Sequence, residues 1–191
     1  MSYVLGLARI GRGACRLGAL LGVERDYELF DGLSRKDGFP RDARFEMSEE
    51  FPNDIRTEDF IKNMNGLLVA SARARAVLEA QPLKNNEFLP VSVINHKGRV
   101  EKGPFFIVHQ VVLQDCIDME KTVADENPIN REVFISIDRL VLDAQRIDAD
   151  VSLFRMRRFP HRPLFRDDVM GRVNEAGLTG IQFVPPGTFT Y

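Results

Sequence analysis

Arg155-Met-Arg-Arg-Phe-Pro-His-Arg162 sets four arginines and an aromatic ring within one short stretch and carries the strongest local positive field of the chain. Guanidinium groups beside a ring can hold phosphates while the ring stacks on a base. They can equally pair bidentately with carboxylates on a protein partner. Strand alternation sends Arg155 and Arg157 to one solvent face. With 26 Lys plus Arg against 28 Asp plus Glu the net charge is −2, and no nucleic-acid fold motif accompanies the arginines. Arg155, Arg157, Arg158 and Arg162 are therefore read as candidate contacts for a protein, ahead of nucleic acid.

The remaining reactive side chains do not assemble into a recognised catalytic pattern. His96, His109 and His161 show neither HExxH nor another ligand spacing, and none adjoins a cysteine. His109 shares a strand face with Phe105, Ile107 and Val111, which predicts a buried, hydrogen-bonded imidazole. Asp115, Asp118 and Glu120 are close together but lack the spacing and central glycine of a calcium loop. Cys116 has acidic neighbours that raise a thiol pKa. No serine stands in GxSxG. The glycine-rich Asn174-Glu-Ala-Gly-Leu-Thr-Gly-Ile-Gln-Phe-Val-Pro-Pro-Gly187 runs from helix to strand, whereas phosphate loops run from strand to helix. Its first part predicts a helix stop: Ala176 as C-cap, Gly177 at C′ and Leu178 packed back on Val173. Gly11-Arg-Gly13 begins a dinucleotide pattern that Arg16 breaks at the third glycine. No catalytic residue, cofactor or metal is expected.

These residues need elements to position them. Tyr3–Leu7 reads as a first strand followed by an irregular arm, and Tyr27–Phe30 and Ala43–Met47 as short strands about a turn-rich segment. Thr57-Glu-Asp predicts a helix start, with Phe60, Ile61 and Met64 on its apolar face and Asn65-Gly66 ending it. Gly66–Ala70 reads as a strand. Ser71 then caps a helix that turns Ala74, Val77 and Leu78 inward, pairs Arg75 with Glu79 outside, and closes at Pro82. This strand-cap-helix unit is loosely echoed by Pro163–Ala176. Between the two, Phe88–Ile94 and Pro104–Val112 predict an antiparallel pair around Asn95–Gly98, with further strands at Phe134–Ile137, Arg139–Leu142 and Val151–Met156. The pattern predicts an α+β fold, mainly an antiparallel sheet with a few short flanking helices.

Composition sets the outer bounds. A chain of 191 residues suits one domain with at most a small appendage. Cys15 and Cys116 stand far apart without CxxC spacing, which favours free thiols, a reducing compartment and a cytoplasmic location. Near-neutral charge gives no global field toward nucleic acid or an anionic membrane. Residues 1–23 hold Arg9, Arg12 and Arg16 and no acid, but arginines interrupt each apolar run and glycines weaken any amphipathic helix, against a targeting peptide.

Gly66-Leu-Leu-Val-Ala-Ser71, Glu87-Phe-Leu-Pro-Val91, Gly103-Pro-Phe-Phe-Ile-Val108, Leu153-Phe-Arg155 and Gly177-Leu-Thr-Gly-Ile-Gln-Phe183 occur in an order that resembles one bacterial family. It is the immunity-protein family of polymorphic toxin systems named after a myxobacterial member and formerly classed as a domain of unknown function. The resemblance covers roughly Pro52 to Val184, with the Gly-Leu-Thr-Gly phrase its most specific part. It implies a small cytoplasmic protein that protects its producer by binding a cognate toxin, and it brings no catalytic residues. The family tends to begin its last helix with a small capping residue; here Arg166 follows Phe165, leaving Asp167 as the expected N-cap. The division expected is an N-terminal arm with short strands at 1–50, packed on an immunity-type α+β domain at 51–191. The function expected is stoichiometric neutralisation of a toxin, the alternative being a small cytoplasmic enzyme or nucleic-acid-binding protein. Self-association is left open.

Overall fold

Phe105–Gln110 is buried along its whole length, with Phe105 and Ile107 in one core and Val108 in another. A strand covered on both faces lies inside the molecule, and the rest of the chain is arranged around that requirement. The computed structural model describes residues 2–80 and 83–191. In chain order the elements are β1 (Tyr3–Ala8), β2 (Leu17–Leu21), β3 (Arg44–Met47), β4 (Phe60–Ile61), β5 (Val69–Ser71), α1 (Ala72–Leu78), β6 (Asn86–Ile94) and β7 (Phe105–Gln110). They continue as β8 (Leu113–Gln114), β9 (Val123–Glu126), β10 (Phe134–Arg139), β11 (Leu153–Met156), β12 (Pro163–Arg166), α2 (Asp167–Glu175) and β13 (Ile181–Val184).

One sheet has the order β13-β1-β12-β11-β8, the other β2-β3-β6-β7-β5-β4, and β9 and β10 form a separate ribbon. An α+β class describes this, but the sheets are mixed: β3 pairs parallel with β6, and β8 parallel with β11. The single, mainly antiparallel sheet expected from the sequence becomes two mixed sheets and a ribbon in which most pairings are antiparallel. Parallel neighbours need a long crossover, and here Met47 to Asn86 carries the chain through β4, β5 and α1 before it returns beside β3. The second sheet also curls until its ends meet. Leu17 N–H donates to the Lys62 carbonyl at 2.9 Å and Cys15 N–H to Arg56 at 2.9 Å, with parallel bridges at Ala14–Arg56 and Leu17–Asn63. Those bonds satisfy edge groups that an open sheet would leave unpaired.

Alternation sorts side chains into three cores. Leu17, Phe45, Val69, Leu89, Val93 and Ile107 fill the inside of the curled sheet. Leu5, Phe154, Met156, Phe159 and Leu164 form the outer core of the first sheet with Ile117 and Ile137. Between the sheets, α1 and α2 pack on each other and contribute Ala74, Leu78, Val169 and Val173 to a core shared with Phe60, Val108, Leu153 and Phe165. Each of these larger apolar side chains adds about 1.5–3 kcal/mol by leaving water. Gly6 of β1 makes room for one of them: a Cβ there would stand 2.3 Å from the Phe165 ring.

Several local expectations match. Ser71 caps α1 by accepting from Ala74 N–H at 3.1 Å, and Arg75 pairs with Glu79 at 2.8 Å. Ala74 and Leu78 are buried, Val77 only partly. The Pro82 stop lies outside the described residues. Others change. Tyr27–Phe30 belongs to a 3-10 helix, Asp26–Phe30, that buries Leu29. The helix predicted from Thr57 is extended chain: Phe60 and Ile61 point into different cores, a period of two, and Met64 is 78% exposed. Arg139–Leu142 is no strand of its own, since β10 ends at Arg139 and Leu142 makes a single bridge to Ile117. The N-cap of α2 is Arg166, with no side-chain cap bond, and Asp167 occupies the first turn, where its carboxylate accepts from Ser2.

Candidate functional site

The Gly-Leu-Thr-Gly phrase does bind an anion, and the anion is internal. α2 ends as its sequence predicts: Gly177 has φ +60°, its N–H donates to Asn174 at 2.9 Å, and Leu178 N–H reaches Val173 at 3.2 Å. Thr179 then donates its N–H (3.0 Å) and its hydroxyl (3.2 Å) to the Asp59 carboxylate. The same carboxylate accepts from Ser71 Oγ at 3.0 Å and Arg73 Nη1 at 2.8 Å. One aspartate thus ties the end of α2, the start of α1 and the strand β4. Gly180 is the residue that permits it, because with φ +85° a Cβ there would lie 1.8 Å from the Phe60 carbonyl oxygen.

The arginine segment divides between interior and surface. Arg155 is only 1% exposed, which corrects the solvent face expected from alternation: the 157–162 turn and the Phe30 ring cover that side of β11. Its Nε donates to Gln110 Oε1 and its Nη1 to the Pro160 carbonyl, both at 2.5 Å, and its guanidinium lies 4.8 Å over the Phe30 ring. Burial first, and nearby Arg162 second, push its pKa down to about 9, so it remains a cation at neutral pH. Arg157 is exposed. Arg158 lies 3.7 Å from Glu126 and donates to the Arg131 carbonyl at 3.2 Å. Arg162 lies 4.9 Å over the Tyr191 ring.

Arg162 also enters a cleft of about 620 Å³ between the two sheets, walled by the end of β1, residues 60–69 and the chain around Gly180–Gln182. Asn63, itself buried, shapes one wall: its side-chain oxygen accepts from Leu67 N–H at 3.0 Å and its amide donates to the Leu67 carbonyl at 2.7 Å. That bracing turns Lys62 and Met64 outward. Lys62 and Arg162 line the cleft, no Asp or Glu side chain does, and among the described residues neither cation has a carboxylate within ion-pair distance.

The residues considered for catalysis stay apart. His109 is buried with Nε2 2.7 Å from the Leu33 carbonyl, so that nitrogen carries the proton, and burial pushes its pKa below the usual histidine value. His96 is exposed in the β6–β7 turn. Asp118 accepts from Glu120 and Lys121 in a strand-end loop, while Asp115 pairs with Arg146. Among the described residues no group of three His, Cys, Asp or Glu is placed to hold a metal. Both cysteines are buried free thiols, pushed by desolvation up to about 11 at Cys15 and about 12 at Cys116, far from a reactive thiolate.

Sequence reasoning missed Lys62, Asn63 and Asp59 as members of any site, because it set them on a helix. Asn63-Met-Asn-Gly66 held the contrary signal: two asparagines and a glycine are turn residues before they are helix residues. No helix among the described residues is long and apolar enough to cross a membrane. A model described as the Immunity protein family (Imm11) matches residues 24–188, reaching further toward the N-terminus than the phrases from Pro52 onward. No curated protein matches the chain significantly.

Proposed function

Because the chain belongs to the Imm11 immunity protein family, we propose that it neutralises a cognate toxin of a bacterial polymorphic toxin system by stoichiometric binding in the cytoplasm. The match over residues 24–188 carries this reading. Occlusion requires a complementary surface of roughly 1,600 Å² and no chemistry of its own. Buried thiols, a hydrogen-bonded buried histidine and scattered carboxylates are compatible with a protein that works by contact. Arg157, Arg158 and Arg162 are the proposed toxin contacts on the arginine segment, with Arg155 behind them holding the turn that presents them. Surface cations of this kind act mainly on association rate.

A titration separates binding from catalysis. The toxin domain encoded by the adjacent reading frame is mixed with increasing amounts of the protein and its residual activity measured. Protection is expected to saturate near equimolar amounts, with a stable complex on gel filtration. Complete protection at a small fraction of equimolar, without a complex, would overturn the proposal. Charge reversal of Arg157 and Arg158 is expected to slow association and flatten its salt dependence while the fold is kept.

A further inference from the structure

We propose that the cleft between the two sheets is where an acidic segment of the partner docks, an Asp or Glu side chain reaching Lys62 and Arg162. The inference rests on the immunity reading and adds the chemistry of the contact. A chain of net charge −2 nevertheless walls one concavity of about 620 Å³ with Lys62 and Arg162 and no Asp or Glu side chain, and among the described residues neither cation pairs with a carboxylate. Buried Arg155 adds a third positive charge behind the wall. His161, whose ring packs 5.1 Å from Phe30 and 6.1 Å from Phe159, responds to that field: desolvation first, then Arg155 and Arg162, hold its pKa below the usual value. Met64 and Tyr191, 78% and 51% exposed, offer apolar surface at the same site. Unpaired cations beside exposed apolar side chains are complementary to an acidic peptide, where the partner's carboxylate exchanges water for two charge-assisted bonds.

The test uses the full chain and the toxin domain of the adjacent reading frame. Affinity is measured by calorimetry for the wild type, Lys62→Glu, Arg162→Glu and the double variant, with Lys97→Glu in the β6–β7 turn as the control. Circular dichroism melts establish that each variant folds. Each reversal is expected to weaken binding about tenfold or more, and the control not at all. An Asp→Lys or Glu→Lys change on the toxin that restores affinity to Lys62→Glu supports the pairing directly. A folded double variant that binds as tightly as wild type overturns the cleft proposal and leaves the immunity reading standing. A wild-type protein that does not bind the toxin defeats both. Tight, salt-sensitive binding of a single-stranded oligonucleotide that the double reversal abolishes, with toxin binding unaltered, would assign the cleft to phosphates and overturn the proposal.

Discussion

Asp59→Ala is expected to be among the most damaging single polar changes in this protein. The carboxylate accepts from the Thr179 N–H, the Thr179 hydroxyl, Ser71 Oγ and Arg73 Nη1, and the residue is 8% exposed. Hydrogen bonds to a charged acceptor contribute about 1.5–3 kcal/mol each when water is excluded. Thr179 and Arg73 are partly wetted, so their share is reduced, and the Arg73 ion pair counts for under ~1 kcal/mol. The total is about 3–4 kcal/mol, equivalent to a fall in Tm of roughly 10 °C for a chain of this size. Asp59→Asn, which keeps one acceptor oxygen, should lose about half of that. Urea unfolding followed by far-UV circular dichroism measures the loss, with Asp150→Ala as reference because that carboxylate is 72% exposed beside Lys84. The reference should leave the unfolding midpoint nearly unchanged, because a solvated surface pair adds little to stability. If Asp59→Ala proves no worse than Asp150→Ala, the hub reading of the Gly-Leu-Thr-Gly phrase is wrong.

The two glycines of that phrase should separate by size of effect. Gly177→Ala, with φ +60° and open space around its Cβ, should cost about 1 kcal/mol, whereas Gly180→Ala must displace the Phe60 carbonyl and should lower Tm several times further or prevent folding. Stability should fall as pH drops below about 6.5, because the unfolded chain then binds a proton that buried His109, with its lowered pKa, refuses. This contribution is fully present above the unfolded pKa and cannot exceed ~1.4 kcal/mol per pH unit; His109→Gln should remove it from urea titrations compared at pH 7.5 and 5.5. Cys15 and Cys116 should resist iodoacetamide in the native state at pH 8 and both react in urea, as mass spectrometry would register; rapid native labelling of either would contradict their burial.

Features whose partners lie within a few residues were legible in the sequence. Ser71 caps a helix because its hydroxyl needs only Ala74 N–H, and Gly177 ends α2 because the carbonyls that accept from Gly177 and Leu178 N–H, those of Asn174 and Val173, are already at hand. The β6–β7 pair was legible for a related reason, since the turn residues Asn95–Gly98 lie between two β-rich runs and close the Ile94–Val100 bridge before the chain reaches β7. Tertiary structure decided the rest, through partners distant in the chain. Phe60, Ile61 and Met64 fit a helix as well as a strand until two cores on opposite sides of β4 claim the first two. Arg155 alternates correctly with Arg157, but alternation cannot say that Phe30, contributed from far upstream, will cover the outer side of β11. Parallel pairing of β3 with β6 and closure of the second sheet at Leu17–Asn63 likewise depend on where a crossover returns. The cleft has no local signature at all: Lys62 and Arg162 are a hundred positions apart, and only the packing of two sheets makes them neighbours, because long-range backbone bonds and buried apolar area, not local propensity, set the distance between sheets.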